Sequence, residues 1–175
     1  GAFNSSIIRR TEQFLREQAG QYDEIGVAPV GRKGREHFRR RGTPVYAELR
    51  EIMTGANQAS AQAVARHLTR MFVAGEVDEI YLIFNEFKSA LTQVVCVEPL
   101  LPLSADLFAG TGAGAASEAG DIKYEPSRDA LLEKLLPRFV ESQILRALLE
   151  SQASEMGARM TAMDNASKNA SELID

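Results

Sequence analysis

Residues 149–175 read LESQASEMGARMTAMDNASKNASELID, and within them the apolar or small side chains recur at Leu149, Ala153, Met156, Met160, Met163, Ser167, Ala170 and Ile174. The intervals alternate four and three, which is the heptad rhythm of a helix that packs against another helix. Ala, Ser and Met fill the seam where Leu or Ile would normally lock it. The contact is therefore expected to be close, of moderate strength and tolerant of sliding. Such a helix needs another segment or another chain, and it suits a shaft better than a clamp. Arg146, Glu150, Glu155, Arg159 and Lys168 lie off the seam and form the expected outward face. Asp164, Lys168 and Glu172 are spaced four apart and can support the helix by pairing along it.

The same helix is expected to begin further back, with Ser127 as its N-cap and an apolar face through Leu131, Leu132, Leu135, Leu136, Phe139, Val140, Ile144 and Leu148. Pro137 is expected to kink it. From Arg138 to Asp175 it would run about 57 Å at ~1.5 Å per residue, longer than the domain it leaves is wide. Before it stands Ala109–Gly120, AGTGAGAASEAG, rich in Gly and Ala and without apolar periodicity, which reads as a mobile surface loop.

The remaining residues alternate helices with apolar strands. Gly1 to Ser6 give a turn with hydroxyl cap candidates, and Ile7, Ile8, Phe14 and Leu15 supply a helix face that stops at Gly20. Asp23–Gly31, DEIGVAPVG, reads as a buried strand, and a second short strand is expected at Val45–Leu49. Asn57 caps a helix with Ala61, Val64, Ala65, Leu68, Met71 and Phe72 on one face, ended by Gly75. Glu79–Phe87 and Gln93–Pro99 are two strands joined by a short turn at 88–91, hence antiparallel. The pattern argues an α/β fold, a three-layer Rossmann-like domain with a mixed, mostly parallel sheet, followed by the long helix. The divisions expected are a foot domain at 1–108, a flexible loop and foot segment at 109–126, and the shaft helix at 127–175.

Composition narrows the function. With 175 residues, 45% of them hydrophobic, the chain can bury one core and carry one extension. A net charge of −4 gives no general attraction to nucleic acid or acidic lipid. Cys96 is the sole cysteine, so an intramolecular disulfide and a Cys-pair metal site are excluded, in keeping with a reducing compartment. No apolar run approaches the roughly 20 residues that span a bilayer, and no leader opens the sequence.

Catalytic chemistry finds little support. His37 sits in a basic run and His67 on the polar side of a helix, neither with a Cys or carboxylate at ligand or triad spacing, so both are expected to be surface residues. Asp78 and Glu79 read as a solvated turn. Gly110 to Gly114 and Gly31-Arg32-Lys33-Gly34 resemble phosphate loops, yet neither completes a dinucleotide or P-loop motif. Arg32, Lys33, Arg35, Arg39, Arg40 and Arg41 put six positive charges within ten residues. Only Phe38 interleaves as an aromatic, so a solvated helix end or a docking face for an acidic subunit is favoured over nucleic acid.

Three stretches carry a resemblance. They are Tyr81–Phe87 (YLIFNEF) continuing to Pro99–Leu103 (PLLPL), Tyr124-Glu125-Pro126 leading to Leu136–Gln143 (LPRFVESQ), and Glu150–Met156 (ESQASEM) with Arg159–Ala166 (RMTAMDNA). The opening Gly1–Ser5 (GAFNS) and the Gly31–Gly34 segment agree with them. Together these resemble the gamma subunit of F-type ATP synthases, in order and over most of the chain. The resemblance implies a fragment that begins after the family's first helix and strand and stops before the carboxyl-terminal tip. It also implies a bacterial or mitochondrial type, because the cysteine insert of chloroplast forms is missing.

On that resemblance the chain is a non-catalytic rotor stalk that couples proton flow through a membrane ring to ATP synthesis. Its implied partners are the alpha and beta subunits of the catalytic head, the epsilon subunit and the c-subunit ring. No cofactor, metal or nucleic acid is implied. Tyr124 and Glu125 would lie at the foot near the membrane ring and the epsilon subunit. The implied location is a peripheral membrane complex, at the cytoplasmic face of a bacterial inner membrane or the matrix side of the mitochondrial one. The alternative reading is a small phosphate- or nucleotide-binding α/β module that dimerises through its helical tail, motivated by Gly31 to Arg41 and the heptads.

Overall fold

The structure is a computed structural model of the 175-residue chain and describes residues 2–46, 55–103 and 128–173. Helix α1 spans Ala2–Gln18 and ends before Gly20, whose φ of 92° takes the left-handed conformation that glycine adopts without penalty. It starts earlier than the expected turn, because residues 2–18 contain neither Pro nor Gly to stop a helix. Helix α2, Arg32–Arg40, follows Gly31 and buries Phe38. Helix α3, Gln58–Val73, opens where the Asn57 side chain accepts the Ser60 N–H at 2.8 Å, and buries Ser60, Ala61, Val64, Ala65, Leu68 and Met71. That stripe is the expected one, with Phe72 at its half-buried margin.

Strands β1, Ile80–Phe87, and β2, Gln93–Leu101, pair antiparallel with Phe84 opposite Cys96 and Asn85 opposite Val95. The turn between them closes by Lys88 N–H to Thr92 O at 3.2 Å. Helix α4, Arg128–Glu172, is 45 residues long and runs through Pro137. At ~1.5 Å per residue it extends about 68 Å. The core forms where α3 meets α4 over the end of β2, from Ala61, Val64, Ala65, Leu68, Leu100, Leu101, Val140 and Ile144.

The long helix and the α/β class stand as expected; the sheet differs. Among the described residues it has two strands and is antiparallel, not mixed and mostly parallel. The stretch at 23–31 makes one isolated parallel bridge, Val27 with Val45, through Val27 N–H to Pro44 O at 2.8 Å and Tyr46 N–H to Val27 O at 3.1 Å. Pro29 lacks the N–H that a longer ladder would need. Gly26 leaves room for the Tyr46 ring, which occupies the place a Cβ would take. Of the second expected strand, Val45 and Tyr46 are described and 47–49 lie outside the described residues. So do the glycine-rich loop at 109–120, Ser127 and the divisions drawn at 108 and 126.

Candidate functional site

The face of α4 that meets β1 is built from small and hydroxyl side chains at helical spacing. Val140, Ile144 and Ala147 are buried, and the row continues through Ser151, Ser154, Gly157 and Thr161. The hydroxyls satisfy the backbone of the hairpin. Asn85 N–H donates to Ser151 Oγ at 3.3 Å, Ser154 Oγ donates to Asn85 O at 3.1 Å, and Thr161 Oγ1 donates to Ala90 O at 3.0 Å. Phe87 N–H donates to Glu150 Oε2 at 2.7 Å. Four polar backbone groups of the hairpin thus find partners on the helix that covers it. At Gly157 a Cβ would lie 3.1 Å from Phe87 Cε2 and 3.2 Å from Ala90 Cα, so the hairpin approaches the helix as closely as a glycine permits.

Arg146 pins the same contact from its flank. Its guanidinium pairs with Glu98, donates to Gln143 Oε1 at 3.0 Å, and stands 5.2 Å above the Phe84 ring. Arg146 and Glu150 therefore face the hairpin, contrary to the outward orientation expected from the heptads. Glu155 and Arg159 do face outward, joined at 2.7 Å, and Lys168 is exposed.

The seam lies on the other side. At about 100° per residue, its residues centre roughly 160° around the helix from the docking row. Leu149, Met156, Met160 and Met163 are 47%, 65%, 53% and 66% exposed, Ala153 is half-buried, and Ser167 and Ala170 are exposed. Ile174 lies outside the described residues, as do Tyr124, Glu125 and Gly110 to Gly114.

The basic run forms α2. Arg32, Lys33, Arg39, Arg40 and Arg41 are exposed and Arg35 is half-buried, while Phe38 is turned into the fold. The helix thus presents no exposed phenyl ring on which a base could stack. Arg32 pairs with Glu36 at 3.8 Å. His37 is not a plain surface residue, because its Nε2 lies 2.8 Å from Glu12 Oε1, with Arg41 Nε 3.5 Å from the same oxygen. The hydrogen bond from His37, then the Arg41 charge, hold the Glu12 carboxyl below its usual range. His67, expected on a polar face, has Nε2 buried without a hydrogen-bond partner among the described residues.

Glu79 is exposed just before β1, in keeping with the solvated turn expected there, and it also accepts two phenols on one oxygen, from Tyr22 at 2.6 Å and Tyr81 at 2.7 Å. The Tyr81 ring packs 5.0 Å from Phe14, so this cluster ties the end of α1 to β1. The Tyr22 and Tyr81 hydrogen bonds lower the Glu79 pKa, and their bonds to Glu79 raise both tyrosines. Cys96 lies 3.3 Å from Glu86 Oε2, and burial followed by that carboxylate pushes the thiol up, which disfavours the reactive thiolate. Among the described residues no three His, Cys, Asp or Glu side chains gather as metal ligands, and no helix is long and apolar enough to cross a membrane.

The sequence model of a family described as ATP synthase matches residues 1–175. The ATP synthase gamma chain of Anaeromyxobacter dehalogenans (strain 2CP-C) is 49% identical over 175 residues, 99% of this chain and 58% of that relative. The gamma chain of Sorangium cellulosum (strain So ce56) is 47% identical over 181 residues, 100% of this chain and 56% of its own length. The chain thus spans less than two thirds of the curated relatives it matches. Among solved structures it is similar to a chain of the Tetrahymena thermophila mitochondrial ATP synthase central stalk and c-ring, with a TM-score of 0.64 and 27% identity over 95% of this chain and 70% of that one. A two-faced helix docked on a hairpin and a match over its whole length converge on one assignment: the chain belongs to the gamma-chain family of ATP synthases.

Proposed function

We propose that this chain forms the foot and lower shaft of the central rotor of a proton-driven ATP synthase, turning within the assembly without making or breaking bonds itself. The observation that carries the reading is α4: one continuous 45-residue helix, fixed on one side to the β1–β2 hairpin and apolar on the opposite side. A torque-bearing element needs this combination, a stiff rod anchored to a base and a second face held by another part of the rotor.

On this reading the alpha and beta subunits surround the upper shaft, and the epsilon subunit and the c-subunit ring meet the foot. Tyr124 and Glu125 are the proposed contacts with the ring. The complex would be a peripheral membrane assembly on the cytoplasmic or matrix side. Support comes from the family match and from the similarity to a central-stalk chain.

The test is size-exclusion chromatography with light scattering on the chain mixed with the epsilon subunit of the same source. The rotor reading expects a one-to-one complex. Persistent separate elution at concentrations well above a micromolar Kd would count against it. The alternative nucleotide module has a separate test, since ATP or ADP at a hundredfold excess over Kd would raise stability by about 2.7 kcal/mol. The rotor reading expects no such thermal shift.

A further inference from the structure

Helices α1 and α2 line a shallow, open cleft of about 340 Å³ that the rotor reading does not use. Ile8 supplies apolar surface to it, Asn4 lies on the α1 side, and Lys33, Glu36, His37 and Arg40 line the α2 side. The four groups on the α2 side are not equivalent. Glu36 is paired with Arg32 and His37 with Glu12. Lys33 and Arg40 are exposed, and no ion pair is formed by either among the described residues. The cleft therefore carries two cations, unpaired among the described residues, beside Ile8, with the Arg32-paired carboxylate of Glu36 between them.

Their spacing selects an occupant. Lys33 and Arg40 are seven residues apart on one helix, two turns or about 10.5 Å along its axis and nearly in line around it. A second helix laid along the groove would place carboxylates at positions i and i+7 opposite them, and a branched apolar residue at i+4 over Ile8. Phe38 is buried, so α2 offers no exposed phenyl ring to a base, and no exposed large apolar side chain on α2 could enter a bilayer. The chain's net charge of −4 would also bring its own acids toward an extended polyanion such as duplex DNA or an anionic membrane, whereas a compact acidic helix meets the cations alone.

We propose that the α1–α2 cleft is a docking groove for an acidic amphipathic helix of a protein partner, read by Lys33 and Arg40 with Ile8 beneath. The inference stands on the cleft geometry and does not depend on the rotor reading.

The probe is a fluorescein-labelled helical 18-residue peptide carrying Glu at i and i+7 and Leu at i+4 on an Ala/Gln background, titrated with the 175-residue chain and followed by anisotropy. Saturable binding is expected at low salt and should weaken as salt is raised. Lys33→Glu with Arg40→Glu should lower affinity about tenfold or more, and a peptide with Lys in place of both Glu should restore binding to that variant. Both positions are exposed, and an unchanged thermal midpoint of the variant verifies that folding is intact. Absence of binding at low salt, equal binding by the variant, or no loss on shifting the Glu spacing to i and i+5 would overturn the proposal. Tighter binding of phosphatidylglycerol vesicles or an oligothymidylate than of the peptide would overturn it as well.

Discussion

The two faces of α4 are made of different chemistry and serve different ends. The docking face, from Val140 and Ile144 through Ser154 and Gly157 to Thr161, is apolar only at its base and then becomes small and hydroxylated. The seam opposite, from Leu149 through Met156 and Met160 to Met163, is apolar and exposed. A surface that must sit within hydrogen-bonding distance of a strand needs short side chains that can answer N–H and C=O groups. A surface that meets another helix through side chains alone needs volume. Hydrophobicity alone would rank these faces in the wrong order for this chain, because the more apolar one is the one left open.

The sharpest way to break that comparison is to delete volume from each face in turn. Ile144→Ala removes a core side chain shared by α3, β2 and α4, and should cost about 2–5 kcal/mol in urea denaturation. Met160→Ala on the opposite face should stay within about 0.5 kcal/mol in the same experiment. Similar losses at both positions would mean that the seam is already covered. Gly157→Leu probes the closest approach, and overpacking against Phe87 and Ala90 should destabilise by about 1–3 kcal/mol. Ser154→Ala is the finer cut, since it leaves Asn85 O without its buried donor. A loss of about 1 kcal/mol is expected, and an unchanged urea midpoint would remove the hydroxyl row from the account.

The smallest expected effect is electrostatic and comes from outside α4. Hydrogen bonds from Tyr22 and Tyr81 lower the Glu79 pKa in the folded chain. A carboxyl whose folded pKa is depressed contributes stability above its unfolded pKa and loses it as the pH falls through the folded value. The urea midpoint should therefore decline below about pH 4.5, and Glu79→Gln should flatten part of that decline without moving the 84–87 contacts with α4. Tyr22 titrates in the opposite sense. Its folded pKa is raised, so its share of stability is full below the unfolded phenol range and fades in strong alkali. An acid limb identical in the Gln variant would show that this cluster does not couple α1 to β1.

What the sequence made legible follows the same division. The seam, the α3 stripe and the β1–β2 pair could be read because apolar residues recur at a helical or strand period, or flank a short turn. The docking row was missed because Ser151, Ser154, Gly157 and Thr161 carry no hydrophobic signal. The available clue was a run of small side chains at intervals of three and four. Arg146 and Glu150 lie off the heptad seam and so read as solvent-facing, although a charged tip can serve a strand edge or an aromatic ring. The stretch at 23–31 has the composition of a buried strand, but a ladder also requires a neighbour and N–H groups, and Pro29 withholds one. Helix α2 was hidden by its own polarity, since a nine-residue helix with a single buried aromatic shows almost no apolar period.

The central claim is that α4 is held on one face and open on the other, and thiol labelling in a Cys96→Ser background reads this directly. Single cysteines at Ser154 and Thr161 on the docking row, and at Met156, Met160 and Met163 on the seam, would be labelled under native conditions and after unfolding in urea. The account predicts that the seam cysteines react in the native chain close to their unfolded rates, while residue 154 is slowed at least about tenfold and residue 161 to a smaller degree. Equal native rates around the helix, or protection on the methionine side, would contradict it.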